Sequence, residues 1–136
     1  MEAYIVKEQD LVDIIEKNEE NILIFNPNYI LSKQQALFAA KMAILAMEKN
    51  QNIANKLPIE FLVRLSGKKQ IAKALEFGPK SIEDVVGIIV LDGTLRDNIQ
   101  EISFMANKQK VMRAYDISPH EDLQRAVYER MALVDL

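Results

Sequence analysis

Residues 85–91, Val-Val-Gly-Ile-Ile-Val-Leu, carry the strongest strand pattern in the chain. The run is apolar without a break, which is typical of a strand with both faces buried. It is therefore predicted to lie at the centre of a sheet. Gly87 interrupts the run and indicates either a bulge or the close approach of another group.

Shorter apolar runs on either side predict the rest of the sheet, about five strands in all. The run before the turn signal Asn26-Pro27-Asn28 resembles a buried strand, and residues 59–65 alternate as one better-buried face requires. A run near residue 115 is predicted to be an exposed edge strand. The predicted strands besides the central one are Tyr4–Lys7, Asn21–Asn26, Ile59–Leu65 and Val111–Ile117.

Helical spacing and capping residues predict five helices between these strands. The first carries Leu11, Ile14 and Ile15 and runs to Asn18; the others follow capping signals at Ser32 with Gln35, Ser66-Gly67, Thr94 with Asp97, and Ser118-Pro119 with Glu121. Gly78-Pro79 is expected to end the third helix. The sequence therefore predicts one α+β domain over residues 1–136, a central mixed sheet packed by helices.

The second predicted helix, from Ser32 to about Asn50, is apolar around most of its circumference. A surface helix needs only one apolar stripe, so this helix is either buried on several sides or has a face reserved for a partner. Both alternatives remain open from the sequence.

Composition excludes several classes of protein. The chain has 136 residues, no cysteine, one histidine and a formal charge of −3. A disulfide scaffold, a zinc-thiolate site and a two-histidine metal site are therefore excluded, and a strongly basic nucleic-acid binder is not expected. Apolar runs fall short of the ~20 residues of a membrane-spanning helix, and the first residues lack a secretory pattern, so a cytoplasmic protein without membrane partners is expected.

Catalytic motifs are sparse. Ser66-Gly67-Lys68-Lys69 lacks the upstream glycine and the following hydroxyl of a phosphate loop. Asp92-Gly93 could ligate a cation but is also an ordinary turn dipeptide. His120 lies beside two carboxylates, where the first turn of a helix favours acidic residues. We expect no enzyme, no catalytic residue, no metal and no cofactor.

Lys68 and Lys69 are predicted to stand at the start of a helix, where the macrodipole disfavours cations. With Arg64 on the preceding predicted strand, they suggest an anion-binding or RNA-binding site at exposed backbone amides. The alternative is that both lysines point into solvent at little cost. The candidate site comprises Arg64, Ser66, Gly67, Lys68, Lys69 and Gln70.

The same segment resembles a known family. Residues 60–71, Glu-Phe-Leu-Val-Arg-Leu-Ser-Gly-Lys-Lys-Gln-Ile, followed by Ala74-Leu75-Glu76-Phe77-Gly78, are similar to the signature of the PRPK-binding protein family. Members of that family form the small regulatory subunit of the KEOPS complex. The resemblance extends along most of the chain, and its compact length is most like that of archaeal members.

The resemblance implies a non-catalytic subunit that binds and stimulates the atypical kinase of KEOPS, an ATPase, and through it contacts the transferase subunit. It also implies recruitment of tRNA by its CCA end for threonylcarbamoyladenosine synthesis. A small α/β module that binds a nucleotide or phosphorylated metabolite is the alternative, and a purely structural interaction protein is a third.

A partner surface is expected on the terminal helix, with the exposed part of the alanine-rich helix beside it, because the terminal helix has more apolar width than one stripe requires. The alternative is that this helix simply closes the core. The predicted partner-binding residues are Leu123, Ala126, Val127, Arg130 and Leu133.

Overall fold

The central strand of the sheet is β3 (Val85–Val90), as the sequence predicts. In the computed structural model, which describes residues 1–18, 21–79, 85–93, 95 and 99–136, β1 (Glu2–Lys7) and β2 (Ile22–Phe25) both pair antiparallel with it in the order β1-β3-β2. The described sheet is thus three-stranded and antiparallel, and the expectation of a mixed sheet of about five strands is wrong.

Gly87 marks a close approach, one of the two alternatives that the sequence left open. It lies opposite Ile5 on one side and Phe25 on the other. A Cβ atom at Gly87 would lie 2.2 Å from the ring of Phe25, so the aromatic side chain occupies the space that a larger residue would need.

Helices cover both faces of the sheet in the described part of the chain. One face, with Val86, Ile88 and Val90, packs on Ile14 of the first helix. The other face packs on the remaining helices, which contribute most of the buried apolar side chains. The helices are α1 (Leu11–Asn18), α2 (Lys33–Glu48), α3 (Leu57–Ser66), α4 (Ile71–Ala74), α5 (Lys108–Tyr115) and α6 (Leu123–Ala132), with 3-10 turns at Glu8–Asp10, Pro27–Tyr29, Leu75–Phe77 and Leu133–Asp135.

Two segments predicted as strands are helices. Residues 59–65 belong to α3, in which every residue from Glu60 to Ser66 is buried. Pro58 in its first turn and Gly67 just beyond its end are ordinary helix boundaries, and the spacing of Glu60 and Arg64 places both on one side of the helix. Residues 111–117 fall largely in α5, whose start is capped by the side chain of Asn107.

Some of the predicted helix N-termini are confirmed and others are not. Ser32 caps α2 by accepting a hydrogen bond from the amide of Gln35, 3.2 Å away. The last helix begins later than predicted, because Asp122 rather than Ser118 caps it. Thr94 and Asp97 lie outside the described residues, and residues 99–107, predicted to continue a helix from there, form neither helix nor strand.

The segment after α3 contains less α-helix than predicted. It consists of the single turn α4 and the 3-10 turn Leu75–Phe77, and it ends before Gly78-Pro79 as expected. Among the described residues, no helix combines the length and apolar character needed to cross a membrane.

Candidate functional site

Helix α2 buries small side chains and exposes large ones. Its alanines at 36, 39, 40, 43 and 46 face the interior, which lets α2 lie close against α3. Phe38 and Leu45 are 44% and 42% exposed on its outer side. Helix α2 is therefore buried on its alanine side and exposes large apolar side chains on the other.

The exposed side of α2 faces α6 and the C-terminal 3-10 turn across two adjoining cavities. Their volumes are about 410 and 180 Å³, and both are lined by Met42, Arg64 and Asp135. We refer to this pair of cavities as the α2–α6 groove. The other lining residues are Leu45, Ala46, Lys49, Gln51, Ile53 and Val134 in the larger cavity, and Phe38, Tyr128, Met131 and Ala132 in the smaller.

An aromatic pair spans the smaller cavity of the groove. The rings of Phe38 and Tyr128 meet edge to face, with centroids 5.6 Å apart. Exposed apolar side chains continue around the groove at Leu45 and Ile53, and Leu133 projects from the neighbouring C-terminal turn with 49% exposure. A cluster of large apolar side chains of this kind is typical of a protein-binding surface.

An ionic network centred on the buried Arg64 forms the floor of the groove. Arg64 donates from Nε to Glu60 at 2.7 Å, from Nη1 to Asp135 at 2.5 Å and from Nη2 to the carbonyl of Gln51 at 3.2 Å. Burial alone lowers the pKa of the Arg64 guanidinium, but its bonds to Glu60 and Asp135 outweigh burial, so the pKa lies above its usual value. Arg64 is therefore a permanent cation that ties α3 to the C-terminal turn.

Glu60 completes this network on the inner side. Its carboxylate is fully buried, and Oε1 accepts hydrogen bonds from the amides of Ile53 and Ala54, both at 2.8 Å. The network thus fixes the connection between α2 and α3 as well as the C-terminal turn. Removal of one partner would leave a buried charge uncompensated.

The candidate anion-binding residues lie around the link between α3 and α4. Lys68 and Lys69 follow the C-terminus of α3, where the macrodipole favours cations, and precede the single turn α4 instead of standing inside the first turn of a longer helix. Ser66 is buried, and its hydroxyl accepts a hydrogen bond from the Lys68 amide at 3.0 Å. Lys69 donates to the backbone oxygen of Leu136. Gln70 is exposed and precedes the single turn α4.

Arg64 differs from these lysines in exposure and in bonding partners. Its side chain is 6% exposed and is held by the groove network, whereas Lys69 is exposed at the surface. Gly67 adopts a left-handed conformation at φ 71°, and a Cβ atom there would lie 2.1 Å from the carbonyl oxygen of Arg130. Gly67 therefore serves the close crossing of α3 and α6.

The predicted partner-binding residues separate into two groups. Ala126 and Val127 are 2% and 0% exposed and belong to the core, so for them α6 simply closes the core. Leu133 is exposed beside the groove, and Leu123 is half-buried. Arg130 is partly exposed and pairs with Glu121 at 2.9 Å.

Chemistry-bearing residues elsewhere do not converge in the described part of the chain. His120 and Asp92 are both exposed, and Asp92 precedes a glycine with φ 85° in a surface turn. The described residues contain no group of three or more histidine, aspartate or glutamate side chains placed to hold a metal ion.

Sequence reasoning missed the groove network. The spacing of Glu60 and Arg64, four residues apart, was the available signal, but it indicates a pair only if the segment is helical. Asp135 joins Arg64 from 71 residues away, and no local pattern reveals a contact over that separation.

Comparison with known families adds one finding. A family model described as kinase binding protein CGI-121 matches residues 5–135, nearly the whole chain. A search of curated proteins gives no match to this chain.

Proposed function

The chain belongs to the kinase binding protein CGI-121 family, and on that basis we propose that it is the kinase-binding regulatory subunit of a KEOPS complex. The resemblance of residues 60–78 to the PRPK-binding signature supports the same assignment. In this role the protein works in the cytoplasm, binds the atypical kinase, stimulates its ATPase activity and contacts the transferase through the kinase.

The α2–α6 groove carries this proposal. Large apolar side chains are usually buried, yet here Phe38, Leu45 and Ile53 are 44%, 42% and 38% exposed and line one groove. The floor beneath them is fixed by the Arg64 network, so the surface is formed before a partner arrives. A preformed apolar groove suits a protein partner better than a small polar ligand.

Charge substitution in the groove tests the kinase interface. Phe38→Glu and Leu45→Glu are each expected to weaken binding of the purified KEOPS kinase subunit at least about 10-fold, because a buried carboxylate would replace an apolar contact. Binding is measured by isothermal titration calorimetry, with thermal denaturation to confirm that each variant folds.

Val12→Glu is the matched control. Val12 is 64% exposed on α1, which packs on the other face of the sheet. The control should bind the kinase as the wild type does. Wild-type affinity in both groove variants would exclude the groove as the kinase-binding surface.

Recruitment of the tRNA 3′ end is the second part of the proposed role. Three lysines lie between residues 68 and 73, and Gln70 between them adds an exposed amide. Such a segment can neutralise a few phosphates of a single-stranded end, which suffices for a weak contact. We assign this contact to Lys68, Lys69 and Gln70, since Arg64 is held in the groove floor.

Binding of a nucleotide or phosphorylated metabolite is the second candidate function. A cavity of about 330 Å³ between α5 and the 3-10 turns favours it, because the partly exposed Tyr29 offers aromatic surface beside the cations Lys110 and Arg113. Thermal-shift assays with nucleotides separate this function from the first. A ligand at 100 times its dissociation constant should stabilise the fold by about 2.7 kcal/mol.

A further inference from the structure

Asp135 lies where the two cavities of the groove meet, and it lines both. Its Oδ1 accepts the bond from Arg64, yet its side chain remains 62% exposed. This carboxylate is therefore half engaged: one oxygen is held by the floor, and the rest of the group faces the groove.

The floor of the groove has an excess of negative charge. The network holds two carboxylates, Glu60 and Asp135, against one guanidinium, which gives a formal charge of −1. Lys49 also lines the larger cavity, but it forms no ion pair with Asp135. Among the described residues, only Arg64 therefore bonds to Asp135, and the other carboxylate oxygen is left to solvent.

Docking of a protein over the groove would remove that solvent. A carboxylate oxygen that loses water without gaining a donor costs free energy, and the cost is larger for a charged group than for a neutral one. The partner must therefore bring a donor to this point. With a floor of charge −1, a cationic donor gains Coulomb energy as well as a hydrogen bond.

The surroundings of Asp135 fit a long basic side chain in particular. Phe38 and Tyr128 present ring surface beside the smaller cavity, and Met42 and Met131 line it with flexible apolar chains. Aromatic and methionine side chains accommodate the apolar stem of lysine or arginine, and the rings attract its charge.

From this geometry we propose that the α2–α6 groove recognises a kinase segment in which a lysine or arginine, flanked by apolar residues, pairs with Asp135. The proposal rests on the kinase-binding function argued above. It makes Asp135 the residue that selects the charge of the docking segment, while the apolar rim supplies contact area.

Asp135→Asn tests this inference with little change of shape. The amide oxygen of asparagine can still accept the bond from Arg64, but the negative charge is lost. Affinity for the purified KEOPS kinase subunit should fall about 10-fold, and the decrease of affinity with rising NaCl should become shallower than in the wild type. Glu129→Gln, an equal charge change at an exposed position of α6 outside the groove, should alter neither quantity.

A double-mutant cycle covers the case in which Asp135→Asn lowers stability. Exposed lysines and arginines of the kinase are replaced singly by alanine, and each variant is titrated with wild-type protein and with Asp135→Asn. One basic residue should lose affinity for the wild type but lose little for Asp135→Asn. Uniform additivity for every basic residue would overturn the inference.

The same variants distinguish a failure of this inference from a failure of the proposed kinase-binding function. Wild-type binding by Leu45→Glu would contradict the docking surface itself. Loss of binding in Leu45→Glu together with wild-type affinity and salt dependence in Asp135→Asn would leave the surface in place and refute the basic segment. Tighter binding by Asp135→Asn would show that the partner brings a neutral or acidic group instead.

Discussion

Tyr115 shows how one buried polar side chain joins three elements. Its hydroxyl donates to the carbonyl of Leu65 at 2.6 Å and accepts from Nε2 of Gln35 at 2.7 Å, and Oε1 of Gln35 in turn accepts from the amide of Leu31. Burial raises the pKa of the Tyr115 hydroxyl, and the bond from Gln35 opposes this only in part, so the group stays a neutral donor.

Tyr115→Phe should therefore destabilise the fold by about 2 kcal/mol, because it leaves two buried polar groups without a partner. Urea denaturation followed by circular dichroism measures the change. Tyr128→Phe is the matched control, since Tyr128 is partly exposed and its ring rather than its hydroxyl makes the described contact. A loss of similar size in both variants would contradict the role assigned to the Tyr115 hydroxyl.

Gly67 and Gly93 permit a second matched comparison between single residues. Both have positive φ, 71° and 85°, but only Gly67 faces a neighbour that a Cβ would strike; around Gly93 nothing lies within 4 Å. Gly67→Ala should cost more than about 2 kcal/mol, whereas Gly93→Ala should cost about 1 kcal/mol of backbone strain alone.

Denaturant midpoints of the two alanine variants check this expectation. Equal midpoints would mean that α6 shifts away from α3 freely, so that the close crossing at Arg130 contributes little to stability.

At the scale of elements, the sequence predicts a strand well where both faces are buried, and a helix well where one side is buried and the other is exposed to solvent. The central strand and α1 were found because their patterns match burial on two faces and on one stripe. Helix α3 resembles a strand in sequence because the short run 59–65 can also be read as alternating, although Glu60 and Arg64 are spaced as on one face of a helix. Its boundary residues, Pro58 and Gly67, held the missing signal.

One part of the candidate site is predictable from the sequence and another is not. The surplus of apolar residues on α2 predicts either burial on several sides or a face kept for a partner, since an excess over one stripe is visible in the sequence. The floor of the groove was not predictable, because Arg64 and Asp135 come together only when α3 and the C-terminal turn pack. Misassignment of α3 also placed the lysines at the start of a long helix, whereas they lie in the link between α3 and the single turn α4.

At the scale of the whole molecule, a formal charge of −3 opposes attraction to RNA, so any tRNA contact depends on a local group of cations. The double variant Lys68→Glu with Lys69→Glu should weaken binding to intact tRNA and flatten the salt dependence by about 0.7 per lost single-strand contact. Filter-binding titrations across NaCl concentrations measure both effects.

Lys108→Glu with Lys110→Glu on α5 carries the same change of charge as a control, and tRNA trimmed of its CCA end tests the part of the RNA involved. Equal affinity of the wild type and the Lys68-Lys69 variant for intact tRNA would remove these lysines from the RNA contact. A larger loss in the α5 variant would move the contact to that helix.

The strand order β1-β3-β2 has a consequence for how the protein emerges during synthesis. Glu2 pairs with Val90 and Lys7 with Val85, so β1 cannot pair until a strand some 80 residues further along the chain has been synthesised. Until residue 90 has left the ribosome, neither β1 nor β2 has its partner, and both present bare apolar edges to whatever is near. The nascent chain can therefore complete its sheet only in one late step, after about two thirds of the residues have been joined.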